Sequence, residues 1–86
     1  MLFRIALSEL ARRTVDRLSV EDAIRIRYCF DQLALNPYRD IDRRVTLVLP
    51  LQRVYRNSYR CGEWAIAYDF QDNDTLLIQA IGTLFY

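Results

Sequence analysis

The sequence predicts an α+β fold, an antiparallel sheet with a helical hairpin packed on one face. Three observations carry this reading. Apolar residues recur at helical spacing between Leu7 and Asn36. After the polar stretch "YRDIDRR", the chain turns to β-branched, aromatic and alternating segments. Proline and glycine are rare, two of each, so the elements follow one another with short connections. The element order is β-α-α-β-β-β: an N-terminal strand, an α-helical hairpin, then the sheet. With 86 residues there is room for one core, so residues 1–86 are read as a single domain.

Each element has its own signal. "LFRIALS" opens apolar and β-permissive, giving a strand over Leu2–Leu7. Ser8 is placed to cap a helix through "ELARRTVDRL", where Leu7, Leu10, Ala11, Val15 and Leu18 make a buried stripe. Glu9 and Arg13 stand at i,i+4 in the favourable orientation. Ser19 opens "SVED", a pattern close to a capping box, and a second helix runs through "VEDAIRIRYCFDQLALN". Its apolar face is Ala23, Ile26, Phe30, Leu33 and Ala34, widened by Ile24, Tyr28 and Leu35. Asn36-Pro37 ends it, because a residue before proline is pushed out of helical geometry.

Val45–Leu49 reads as a strand, with Pro50 interrupting it or marking an edge. "RVYRNSYR" is a further strand, and Cys61-Gly62-Glu63 a tight turn. In "WAIAYDF" the large set Trp64, Ile66, Tyr68 and Phe70 alternates with Ala65, Ala67 and Asp69. The large set is expected on the helices, as core rather than as a base-stacking platform, and the small set is expected to leave an open face. "QDND" is a turn cluster, and "TLLIQAIG" has the continuous apolar character of a strand covered on both faces.

Composition removes several chemistries. All twelve basic residues are arginine, so the commonest acid–base group, histidine, and amine nucleophiles are both missing. Eleven acidic residues leave a formal charge of +1, so no general basic field attracts nucleic acid; only a local patch can. Cys29 and Cys61 form neither a disulfide framework nor a metal motif. Cys61 therefore reads as an inert thiol, and the setting as reducing and cytoplasmic. Asp69, Asp72 and Asp74 lack calcium-loop spacing and read as a solvated turn. No metal or other cofactor is expected, and no segment is long and apolar enough to span a membrane.

The ordered set "LSELARRTVDRLS", "FDQLALNP" and "VYRNSYRCGEWAIAYDFQDNDTLLIQAIGTLFY" resembles the RelE/ParE superfamily of type II toxins. The resemblance covers most of the chain. It implies a toxin neutralised by an antitoxin protein wrapping the helical hairpin and sheet. Nuclease relatives bring cationic and aromatic side chains together on the open sheet face and cleave mRNA in the ribosome; ParE-type relatives act on DNA gyrase. Where the nuclease frame carries an arginine after the turn aromatic, this chain has Ala65. Where it carries one after the final "IG", the chain has Leu84, preceded by Thr83 instead of histidine or lysine.

Arg56 stands in for one cationic position, Arg60 matches a basic residue before the turn glycine, and Tyr86 resembles a terminal tyrosine. Arg56, Arg60, Arg53 and Tyr86 are therefore the candidate RNA- or target-facing residues. Arg56 and Arg60 share a face in a regular strand, while Arg53 does not. The bland counterpart for these arginines is a solvated edge paired with acids. Arginine steadies phosphate but is a poor proton shuttle, so the cleavage set is largely missing and no catalytic residue is assigned. The expected function is a toxin without the usual mRNA-cleaving set. The alternative is a catalytically inactive interaction module or regulator of the same fold. A third reading is an unrelated α+β adaptor or homodimer that uses its sheet edge.

Overall fold

The computed structural model describes residues 2–37, 46–48, 53–55 and 57–83, with the side chains of 46–48, 53–55 and 83 left aside. The chain begins with β1 (Arg4–Leu7), followed by α1 (Glu9–Asp16) and α2 (Val20–Leu35). Five strands follow: β2 (Thr46–Val48), β3 (Arg53–Tyr55), β4 (Asn57–Cys61), β5 (Trp64–Phe70) and β6 (Thr75–Thr83). The stretch read as one strand, "RVYRNSYR", thus divides into β3 and β4. β3 pairs antiparallel with β2, and β4 pairs antiparallel with β5.

Local chemistry sets both helix starts. Ser8 Oγ accepts from the Ala11 N–H at 3.1 Å, and Ser19 Oγ accepts from the Asp22 N–H at 3.2 Å, each satisfying an orphan donor of the first turn. Glu9 and Arg13 form the expected exposed pair at 2.7 Å. Arg25 turns to Asp22 and to Glu63, at 3.8 and 3.9 Å. α1 stops at Asp16, earlier than its apolar stripe suggested, with the Arg17 N–H donating to the Thr14 and Val15 carbonyls.

The main sheet has the order β1-β6-β5-β4. β1 runs parallel to β6, from Arg4 opposite Thr75 to Leu7 opposite Ile78, while β5 runs antiparallel to both of its neighbours, β4 and β6. The register slips between Ala67 and Tyr68, leaving Gln79 as an extra residue on β6. Ser8 closes this irregularity: its Oγ donates to the Gln79 carbonyl at 2.9 Å and its N–H to the Ile78 carbonyl at 2.9 Å. One serine therefore caps α1, ends β1 and satisfies the bulge.

The core lies between the helices and the sheet. Ala11, Ile26, Cys29 and Leu33 from the helices meet Trp64, Ile66, Tyr68, Leu76, Ile78 and Ile81 from the strands. The Tyr68 hydroxyl, fully buried, donates to the Pro37 carbonyl and so ties the end of α2 to the sheet centre. Phe3 and Tyr68 each meet Phe70 edge-on, with ring centroids 6.1 and 6.0 Å away.

Two sequence expectations change here. Ile24, Tyr28 and Leu35 do not widen the buried face of α2; they are 66%, 60% and 61% exposed. The helix has one core face, and Cys29, 2% exposed, belongs to it. Nor does the small face of β5 stay open: Ala65 is 1% and Ala67 0% exposed. β2 comes close to both β5 and β6 while pairing with neither, so this second face is also covered within the chain.

Candidate functional site

Residues directly opposed across antiparallel ladders share a face of the sheet. Tyr59–Ile66–Ile81 and Cys61–Trp64 are rows on the helix side. Arg60–Ala65–Gly82 and Ser58–Ala67–Ala80 are rows on the opposite side. This second face is where the resemblance leads one to look for cations. Arg60 is exposed at the β4 edge. Beside it, Ala65 and Gly82 are buried, and the next row, Ser58, Ala67 and Ala80, is buried throughout. An arginine in place of Ala65 would have to displace what covers the sheet or leave its guanidinium without water.

Of the sequence-predicted residues, Arg60 alone has a described side chain. Arg53 has its backbone placed at the start of β3. Arg56 and Tyr86 lie outside the described residues, as does Leu84. Thr83 ends β6 opposite Trp64.

A second region was not singled out from the sequence. A groove of about 740 Å³ runs between α2 and the β4–β5 turn, lined by Ile24, Arg25, Tyr28, Cys29 and residues 61–64. The turn is two residues long because Cys61 pairs with Trp64, and Gly62 bends it with φ +62°, a conformation costly for other residues. Cys29 and Cys61 are joined in a disulfide, with Cα atoms 5.8 Å apart. The reading of Cys61 as an inert free thiol is therefore overturned: the seating of α2 against the β4–β5 turn brings together cysteines 32 residues apart. Trp64 lies under the same groove at 7% exposure, and its indole N–H has no hydrogen-bond partner among the described residues.

The groove continues an apolar line along α2. Val20, Ile24 and Tyr28 follow one another at i,i+4 and, with Leu35 in the last turn, are all more than half exposed. The signal was present in the sequence, since α2 carries more apolar residues than one buried stripe requires. A smaller cavity of about 460 Å³ lies between β1 and the helices, lined by Ile5, Leu7, Val15, Ile26 and Phe30 among others.

The acidic turn after β5 is structural. The Asp74 N–H donates to Asp72 Oδ1 at 3.0 Å, and the Thr75 hydroxyl to Asp74 Oδ1 at 3.0 Å. The Asp74 backbone N–H, above all, holds the Asp72 carboxyl below its ordinary value. Among the described residues, no cluster of histidine, cysteine or carboxylate side chains is arranged to hold a metal. No helix among them is long and apolar enough to cross a membrane.

No protein-family model matches the sequence, and no curated protein matches it. A solved structure does. A chain of the crystal structure of the toxin–antitoxin complex RelBE2 from Mycobacterium tuberculosis is similar, with a TM-score of 0.71 and 22% identity. The match covers 98% of this chain and 100% of that one. The likeness extends over the strand, the helical pair and the sheet. The chain thus carries the RelE/ParE-like α+β fold in a divergent sequence.

Proposed function

We propose that this chain is the toxin component of a type II toxin–antitoxin pair, and that it acts by binding its target rather than by cutting RNA. The observation that carries the second half is the burial of Ala65 beside Gly82. A cleavage site of the nuclease kind needs cations around a phosphate and a group to move a proton. Here the position facing Arg60 is an alanine in a closed row, and the chain has neither histidine nor lysine. The toxin half rests on likeness of fold to a chain of a toxin–antitoxin complex and on the ordered motifs.

An antitoxin protein is the partner in this reading. The apolar line Val20, Ile24, Tyr28 and Leu35 on α2 supplies a surface for its segment to cover. Targets open to a binding toxin of this fold are the ribosome with its mRNA and DNA gyrase, with Arg56, Arg60, Arg53 and Tyr86 kept as the candidate target-facing residues. A cytoplasmic site of action follows from such targets. Expression alone should arrest growth, and co-expression with the product of the adjacent small gene should restore it. Harmless expression with no co-purifying partner counts against the toxin reading.

The second reading keeps the fold and drops the toxicity, making the chain an interaction module or regulator. It is favoured by the same exposed line on α2, which needs a partner but no victim. Growth arrest separates the two, because both predict a co-purifying partner and only the first predicts harm.

A further inference from the structure

We propose that Cys29 and Cys61 form a reversible thiol–disulfide switch that holds the α2 groove closed over Trp64 when oxidised and releases it when reduced. This inference does not depend on the toxin reading. The two walls of the groove are α2 and the β4–β5 turn, and two links join them: the Cys29–Cys61 bond and the Arg25–Glu63 pair at 3.9 Å. The ion pair is loose and exposed, so it holds weakly. The disulfide is the stronger tether, and breaking it leaves the turn held to α2 only by packing and the weak Arg25–Glu63 pair.

Three features suit the bond to cycling rather than to permanent stapling. Cys61 is half-buried at the lip of the groove while Cys29 is buried beneath it, so an external thiolate reaches Cys61 Sγ first. The Cys29 sulfur lies 3.9 Å from the Cys61 carbonyl, so the thiol released at Cys29 finds an acceptor without rearranging α2. The Trp64 indole N–H is buried with no partner among the described residues, a cost that opening the groove to water removes. The closed state therefore stores a reason to open, and the bond restrains it.

The chemistry balances with a dithiol reductant. One reductant thiolate attacks Cys61 Sγ, the Cys29–Cys61 bond breaks, and Cys29 leaves as a thiolate that takes up a proton. The second reductant thiol, as its thiolate, then attacks the mixed disulfide, releasing Cys61, which is protonated in turn, and leaving the reductant as a cyclic disulfide. A small-molecule disulfide reverses the sequence.

Trp64 is the chain's one tryptophan and pairs directly with Cys61, so its fluorescence reads the switch without a label. The full-length chain, purified without reductant, is treated with dithiothreitol and then with oxidised glutathione. Alkylation should count no free thiols at the start, two after reduction and none after reoxidation. The Trp64 emission maximum should move to longer wavelength on reduction and return on reoxidation, with far-UV circular dichroism unchanged. Melting should fall by roughly 10–25 °C in the reduced state. The double substitution C29S/C61S should show the reduced-state emission and no response to reductant. If that variant misfolds, the wild-type cycle still decides. Two free thiols that persist under mild oxidation overturn the proposal. So does an emission maximum unchanged by reduction, and so does loss of far-UV signal on reduction, which makes the bond a staple of the fold.

Discussion

The two faces of β5 carry side chains of opposite size, and both are buried. On the helix side, Trp64, Ile66 and Tyr68 fill the core between sheet and helices. On the other side, Ala65 and Ala67 form a layer with Ala80 and Gly82 that is as fully closed as the first. Large residues are buried because water rejects their surface. Small ones are buried because something lies close, and their smallness is the condition for that approach. β2 near β5 and β6 is the described backbone that makes it. A face of alanines is therefore no sign of an open cleft, and a reaction centre built on this face would need a different cover.

Charge placed on that alanine face should have the largest effect. Ala65→Arg buries a guanidinium with no partner and should cost about 3–5 kcal/mol, enough to unfold a domain of this size. Urea denaturation followed by circular dichroism checks it. An arginine introduced at this position should thus destroy the fold before it could support any cleavage. Ile24→Arg, on the exposed line of α2, should change stability by less than about 0.5 kcal/mol while abolishing partner capture.

Smaller effects sharpen the contrast from the core side. Tyr68→Phe removes the hydroxyl that reaches Pro37 and leaves that buried carbonyl without its donor, at a cost of about 1–2 kcal/mol. Ser8→Ala loses the cap on Ala11 and the bond to Gln79, and should cost about 1–2 kcal/mol in the same measurement.

The smallest effect is the pH dependence of the β5–β6 turn. Asp72 holds its proton less tightly in the folded chain than its ordinary value of 3.8. Its contribution is therefore complete above that value and fades as pH falls through the lower folded value. Asp72→Ala should flatten this acid limb slightly and leave stability at neutral pH little changed, since the carboxylate is fully exposed.

What could be read from the sequence follows the range of the interaction involved. Both helix caps were legible because Ser8 and Ser19 bond to N–H groups three residues ahead. The burial of Trp64, Ile66 and Tyr68 was legible from alternation within one strand. The closed alanine face was not, because it depends on β2, which lies far from β5 in the chain. The division of Arg53–Arg60 into β3 and β4 was hidden for a similar reason, since each half answers to a different pairing partner. The disulfide was invisible because two cysteines 32 residues apart become neighbours through the seating of α2 on the sheet. The apolar excess of α2 is plain in the sequence, but helical spacing alone does not separate Ile24, Tyr28 and Leu35, which are exposed, from the core face. Arg60 falls on the edge strand β4, exposed, two residues before the turn glycine Gly62.

The central claim is a RelE/ParE-like chain that binds without cutting, and primer extension on ribosome-bound mRNA tests it most directly. Purified full-length protein is added to translating ribosomes under conditions where expression in cells arrests growth. The account predicts intact mRNA, with the primer-extension pattern unchanged from ribosomes without the protein. New 5′ ends mapped to mRNA within the ribosome would contradict it.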